Sequence, residues 1–136
     1  MILVIRISGM VEMLTYLQET LFRMHLRRKY SAVLLKDDEK TKNLLQEVRN
    51  FVAYGTIDSK TLEELIAKRG KSADNKKIDA KKVAEIIEKE GMEKSGLKPF
   101  FRLHPPRKGI DSKKHYPKGV LGDNKEDINE LVRRML

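Results

Sequence analysis

Ile2-Leu-Val-Ile-Arg-Ile7 is a near-continuous apolar run, rich in β-branched side chains and closed by Ser8-Gly9. A strand covered on both faces needs such a run, whereas a half-exposed strand alternates, so this stretch predicts the middle of a sheet. Leu14, Leu17, Leu21 and Met24 follow at spacings of three and four, the period of an amphipathic helix. That helix ends in Arg27-Arg28-Lys29, cations suited to the negative end of its dipole. Ala32-Val-Leu-Leu35 predicts a second strand, and Asp37-Asp38 offers capping carboxylates for a helix with Leu44, Leu45 and Val48 on one face. Phe51-Val-Ala-Tyr54, before Gly55, predicts a short third strand.

Further along, Asp58 and Ser59 can cap a helix carrying Leu62, Leu65 and Ile66 and stopped at Gly70. Asp79 can cap another, carrying Val83, Ile86 and Ile87 and stopped at Gly91, with the polar stretch Lys71 to Lys77 between them. Charges alternating along these helices predict a solvated lobe. Pro99-Phe-Phe-Arg-Leu-His104 alternates, with Phe101 and Leu103 on one side of a strand and Phe100, Arg102 and His104 on the other. Asp123-Asn124 can cap a last helix with Ile128, Leu131, Val132 and Met135 buried and Arg133-Arg134 outside. The order is β-α-β-α-β, a helical insertion, then β-α. It predicts an α/β sandwich of the split βαβ kind, with helices over one face of a short sheet. The expected divisions are a core over 1–55, a helical insertion lobe over 56–96, and a C-terminal strand, basic loop and helix over 97–136 that pack on the core.

With 136 residues, 36% of them charged and 40% hydrophobic, the chain has the composition of a small globule with a heavily solvated surface. It contains no cysteine, which removes disulfides, thiolate nucleophiles and cysteine-based zinc sites. The first apolar run is too short for a signal-peptide core or a membrane span, so a cytoplasmic location and no membrane partner are expected. The net charge of +9 is unevenly distributed. Residues 1–36 carry six basic and two acidic groups (+4), residues 37–96 thirteen of each, residues 97–122 seven and one (+6), and residues 123–136 three and four (−1). Two separated basic blocks suggest segments that the fold brings onto one face.

Catalytic chemistry finds little support. His25, His104 and His115 are the only imidazoles and none has a partner at metal-ligand spacing, so neither a metal nor a cofactor is expected. No phosphate-cradling glycine motif occurs, and Gly119-Val-Leu-Gly122 reads as a turn. RNA is better served, because phosphates call for Lys and Arg while unpaired bases call for flat groups that stack. Arg107, Lys108, Lys113, Lys114 and Lys118 are interleaved with His104, His115 and Tyr116, after Arg102 and the stiff Pro105-Pro106. Arg27, Arg28, Lys29 and Tyr30 form the second candidate segment. Phe100 and Phe101 read as core or sheet-face residues. Two alternatives stay open at this point: a non-ribosomal RNA-binding module, whose sheet-aromatic pattern is absent, and a small enzyme acting on a phosphorylated or acidic metabolite.

Phe100-Phe-Arg-Leu-His-Pro-Pro-Arg-Lys-Gly109, Lys113-Lys-His-Tyr116 and Ile128-Asn-Glu-Leu-Val-Arg-Arg-Met135 resemble the large-subunit ribosomal protein family numbered thirty, called seven in eukaryotic cytoplasmic ribosomes. Val4-Ile-Arg-Ile7 with Gly9, Thr20-Leu-Phe-Arg-Met-His-Leu26, Val52-Ala-Tyr-Gly55 and Leu62-Glu-Glu-Leu-Ile-Ala-Lys-Arg-Gly70 are similar, in the same order, to its archaeal and eukaryotic branch. The resemblance implies a ferredoxin-like core enlarged by the insertion and the C-terminal extension, no catalysis, no small-molecule substrate, and a seat on large-subunit ribosomal RNA. It implies that Arg23, His25, Arg27, Arg28 and Lys29, with the loop from Arg102 to Lys118, face that RNA; the charge-balanced lobe over 56–96 is left free to touch RNA or a neighbouring ribosomal protein. Where the family usually has Arg-Gly opening the second helix this chain has Lys42-Asn43, which keeps the charge and loses the planar fork of a bidentate contact. Residues 10–16 are more apolar than the family's usual polar turn, which predicts an earlier start to the first helix.

Overall fold

The computed structural model describes residues 2–7, 15–36, 38–69, 79–90, 100–105, 119 and 121–135. Its centre is β1 (Ile2–Arg6), every residue of which is buried. β2 (Ser31–Leu35) and β3 (Val52–Thr56) flank it, both antiparallel, with Val4 opposite Val33 on one side and Tyr54 on the other. Strands β2 and β3 therefore run parallel to each other with β1 between them, which is the split βαβ arrangement of a ferredoxin-like core. β4 (Phe101–Arg102) adds antiparallel to β2, and β5 (Gly122–Asp123) adds parallel to β3, giving the order β4-β2-β1-β3-β5. The fifth strand was not expected, because Gly119-Val-Leu-Gly122 and Asp123-Asn124 read as turn and cap and two residues are too few to show a period.

Alternation along β1 sends Ile2 and Val4 to one face and Leu3 and Ile5 to the other, each into its own cluster. On the first face lie α1 (Thr15–Arg23) and α2 (Glu39–Val48), which contribute Leu17, Leu21, Leu45 and Val48. The second face is covered by α3 (Ser59–Arg69), α4 (Ala80–Glu90) and α5 (Ile128–Met135). Leu62, Leu65, Ile66, Ala84, Ile87, Ile128, Leu131, Val132 and Met135 pack there with Leu3 and Ile5. Helices thus cover both faces rather than one, as a fully apolar central strand requires. The segment expected to be solvated buries one side of both its helices.

Caps fall where carboxylates were available. Asp38 accepts from the Thr41 N–H at 2.8 Å and Asp58 from the Thr61 N–H at 2.7 Å, opening α2 and α3. Asp79 accepts from the Lys81 N–H at 3.2 Å before α4. Two expected stripe residues face outward instead: Leu44 and Ile86 are each 37% exposed. A helix burying Leu45 with Val48, or Ala84 with Ile87, turns the adjoining residue about 100° away. Ahead of α5 a short 3-10 turn (Lys125–Asp127) replaces the simple cap, with Asp123 accepting from the Lys125 N–H at 2.9 Å. Arg133 is exposed as expected, and its Nε lies 3.5 Å from Glu64 of α3. Leu14 and the expected early start of the first helix lie outside the described residues, as do Asp37 and the stretch Lys71 to Lys77.

Candidate nucleic-acid interface

α1 stops in a hydrogen-bonded turn that aims side chains outward. The His25 N–H donates to the Phe22 carbonyl at 3.1 Å and the Leu26 N–H to the Leu21 carbonyl at 2.9 Å. This pairing is a Schellman stop, and buried Leu26 and Leu21 share a cluster beneath it. The stop requires a left-handed residue, normally glycine, yet His25 occupies it with φ of 64°. Tyr30 closes the same turn with φ of 65°. Two residues five positions apart thus hold a conformation that suits glycine, at a cost in backbone energy.

The turn is held from below by Arg6, the residue that interrupts the apolar run of β1. Its fully buried side chain donates from Nη1 to the Leu26 carbonyl at 2.7 Å and the Arg27 carbonyl at 3.2 Å. Burial lowers the guanidinium pKa from its ordinary value. The Tyr30 N–H donates to the Arg6 carbonyl at 2.7 Å, so main chain and side chain of Arg6 both grip the turn.

β4 is fastened to the same place. Arg102 pairs with Ser31 in the β2 register, and the Leu103 N–H donates to the Tyr30 carbonyl at 3.0 Å. The His104 N–H donates to the Met135 carbonyl at 2.8 Å, tying the strand end to α5 as well. Phe101 and Leu103 are buried while Arg102 and His104 are exposed, as the alternation predicts. Between turn and strand opens a cleft of about 330 Å³ lined by His25, Arg27, Arg28, Ser31, Phe100 and Arg102. Three guanidinium groups and no carboxylate stand among these described residues, which makes the cleft a concave cationic site.

The chain has curated relatives along nearly its whole length. It is 37% identical to the large ribosomal subunit protein uL30 of Archaeoglobus fulgidus over 151 residues, with 99% of each chain covered. The proteins of the same name from Methanobrevibacter smithii and Aeropyrum pernix are each 35% identical to it, across 97% or more of their lengths. The chain belongs to the uL30 family. No family model matches it. Because uL30 proteins are components of the large ribosomal subunit and not enzymes, the small-enzyme alternative falls. No helix among the described residues is long and apolar enough to cross a membrane.

Of the residues expected to form the uL30 interface, His25, Arg27, Arg28 and Arg102 converge on the cleft, two basic segments meeting across the β2–β4 edge. Arg23 and Lys29 are exposed beside it, and the Lys29 Nζ lies 5.1 Å from the centre of the half-buried Tyr30 ring. His104 is exposed two residues beyond β4, its Nδ1 2.8 Å from the Pro105 carbonyl. Lys42 does not join them. It lines a separate cleft of about 240 Å³ with Gln46, Tyr54 and Asp123, on the β3–β5 side of the sheet, where burial and then Asp123 raise the Tyr54 phenol pKa. Arg107, Lys108, Lys113, Lys114, His115, Tyr116 and Lys118 lie outside the described residues. Two contributors were not singled out from sequence, Arg6 and Ser31, and Phe100 was read only as a core or sheet-face residue. The one available signal was Arg6 itself, a charge inside a strand that otherwise reads as fully buried. Phe101 is core as expected, whereas Phe100 both packs on the α1–α2 cluster and lines the cleft.

Proposed function

We propose that the chain is a structural constituent of the large ribosomal subunit, in the cytoplasm, that binds large-subunit ribosomal RNA through two basic segments. One is the turn from Arg23 to Tyr30 and the other runs from Arg102 to Lys118. The observation that carries this reading is the convergence of Arg27 and Arg28 with Arg102 in one cationic cleft. Guanidinium groups from two distant parts of the chain neutralise phosphates at a separation set by the β2–β4 pairing, so the core acts as a spacer between RNA strands. Within this reading 1–55 is the core, 56–96 an insertion whose outer helix faces are available to RNA or a neighbouring ribosomal protein, and 97–136 the extension that completes the site. Lys42, on the far side of the sheet, touches the RNA separately.

Salt titration tests the proposal. Replacing Arg27 and Arg28 with Gln in one variant, and Arg107, Lys108, Lys113 and Lys114 in another, is expected to lower the salt slope of binding to large-subunit RNA fragments by about one unit for each phosphate that is no longer neutralised. The unaltered chain is expected to sediment with large subunits and to leave them at high salt. A slope unchanged in both variants refutes the two-segment footprint.

A further inference from the structure

The cleft between the α1 turn and β4 has a size and a lining that binding to phosphate alone does not need. Its volume of about 330 Å³ lies at the low end of the range that encloses small ligands, the scale of one nucleotide. Its wall also holds a flat face. Phe100 presents a half-buried ring, with the Arg102 guanidinium carbon 5.7 Å from the ring centre. The guanidinium lies over the ring, and a guanidinium plane backed by an aromatic is a flat cationic surface of the kind on which unstacked bases settle. Arg27 and Arg28, on a turn held by Arg6, line the same cleft and bring two more cations to it. Phe100 is supported from behind by the α1–α2 cluster, which limits its freedom to turn away.

We propose that this cleft holds a single extruded nucleotide of the RNA, its base against Phe100 and Arg102 and its flanking phosphates on Arg27 and Arg28. The inference rests on the RNA-binding reading and deepens it: the site selects an unpaired nucleotide within a structured RNA over continuous duplex. Stacking on the base supplies selectivity and the surrounding cations supply affinity, so the two are separable by measurement.

The test uses the full chain and an RNA hairpin with one bulged nucleotide, compared with the same hairpin carrying an abasic ribose at the bulge. Both have the same number of phosphates. The base-containing hairpin is expected to bind about tenfold more tightly, the size of one base–aromatic stack, with equal salt slopes for the two. Phe100→Leu keeps the apolar packing and is expected to abolish the difference while leaving the slope unchanged. A 2-aminopurine at the bulge is expected to change its fluorescence on binding the unaltered chain and not the F100L variant. Equal affinity for both hairpins, with a normal salt slope, overturns the nucleotide site and leaves the phosphate reading standing. A preference that survives F100L overturns its assignment to this cleft, and salt-insensitive binding or none at all overturns both readings.

Discussion

His25 sits where the backbone asks for glycine, so His25→Gly is expected to stabilise the fold while weakening the interface. The left-handed conformation costs a residue with a Cβ about 1–2 kcal/mol, which glycine avoids. Glycine gives back about 0.4–1 kcal/mol by enlarging the freedom of the unfolded chain. The His25 side chain is exposed, so its removal forfeits little packing, and a net gain of about 0.5–1 kcal/mol is expected. With a urea m-value of about 2 kcal/mol/M the midpoint rises by about 0.3–0.5 M at unchanged m. The same variant removes a flat donor from the cleft wall and is expected to weaken RNA binding about two- to tenfold, the worth of one net hydrogen bond. Tyr30→Gly supplies the control, because it relieves a similar left-handed residue but strips a half-buried ring from the core and should destabilise by about 1 kcal/mol or more. A lower urea midpoint for H25G refutes the claim that the turn is strained. Unaltered RNA affinity refutes the claim that His25 is kept there for the interface.

Three further outcomes follow from the packing. Arg6→Met is expected to cost about 2–4 kcal/mol, since two charge-assisted bonds vanish and the Leu26 and Arg27 carbonyls stay buried; a stability change below about 1 kcal/mol in urea denaturation would refute its role as the anchor. Gly55→Ala has no room, because a Cβ would meet the Lys125 carbonyl oxygen and come within 2.9 Å of Ile128; a loss of about 1–3 kcal/mol is expected, with the RNA affinity of the folded fraction unchanged across the sheet. Asp58→Ala should cost about 1 kcal/mol through removal of the cap. The Thr61 N–H holds the Asp58 carboxyl below its ordinary value of 3.8, so the folded state binds that proton less readily than the unfolded chain. The contribution is complete above the unfolded pKa and is lost as pH falls through the lower folded one. The stability gap between the original chain and D58A, measured by urea titration across pH, should therefore close only on the acid side; a constant gap sinks the assignment.

How far the fold could be read ahead of the structure depended on the length of each signal. The run from Ile2 to Ile7 declares a central strand because apolar residues fill every position but Arg6, and its two neighbours carry the same apolar signature. Capping carboxylates at Asp38, Asp58 and Asp79 mark three helix starts because one hydrogen bond satisfies each. β5 gives no such mark, since two residues, Gly122 and Asp123, are shorter than the period that would reveal them. Leu44 and Ile86 show the limit of periodicity: an apolar stripe names a helix face to within one residue, and the partner surface decides which residue turns out to solvent. Coverage of both sheet faces was implicit in β1 all along, because Ile2 and Val4 point opposite to Leu3 and Ile5 and all four need cover.

The interface was legible as charge and not as geometry, and the reason lies in what places it. Basic residues announce an anionic partner wherever they fall in a sequence. Their convergence depends on three features with no composition signal: a helix stop built on a non-glycine residue, the pairing of Ser31 with Arg102, and a buried guanidinium under the turn. Arg6 joins these. A hydrophobic residue at that position would satisfy the central strand, yet it would leave the Leu26 and Arg27 carbonyls without their donor and the turn held there by main-chain bonds alone. A desolvated charge in the middle of a sheet costs stability unless its hydrogen bonds are made, and here they are made to main-chain atoms of the very segment that presents Arg27 and Arg28. Under the proposed RNA-binding reading the buried cation belongs to an interface it does not touch: it holds the exposed cations of the turn in place beforehand, so less ordering would remain to be done on binding.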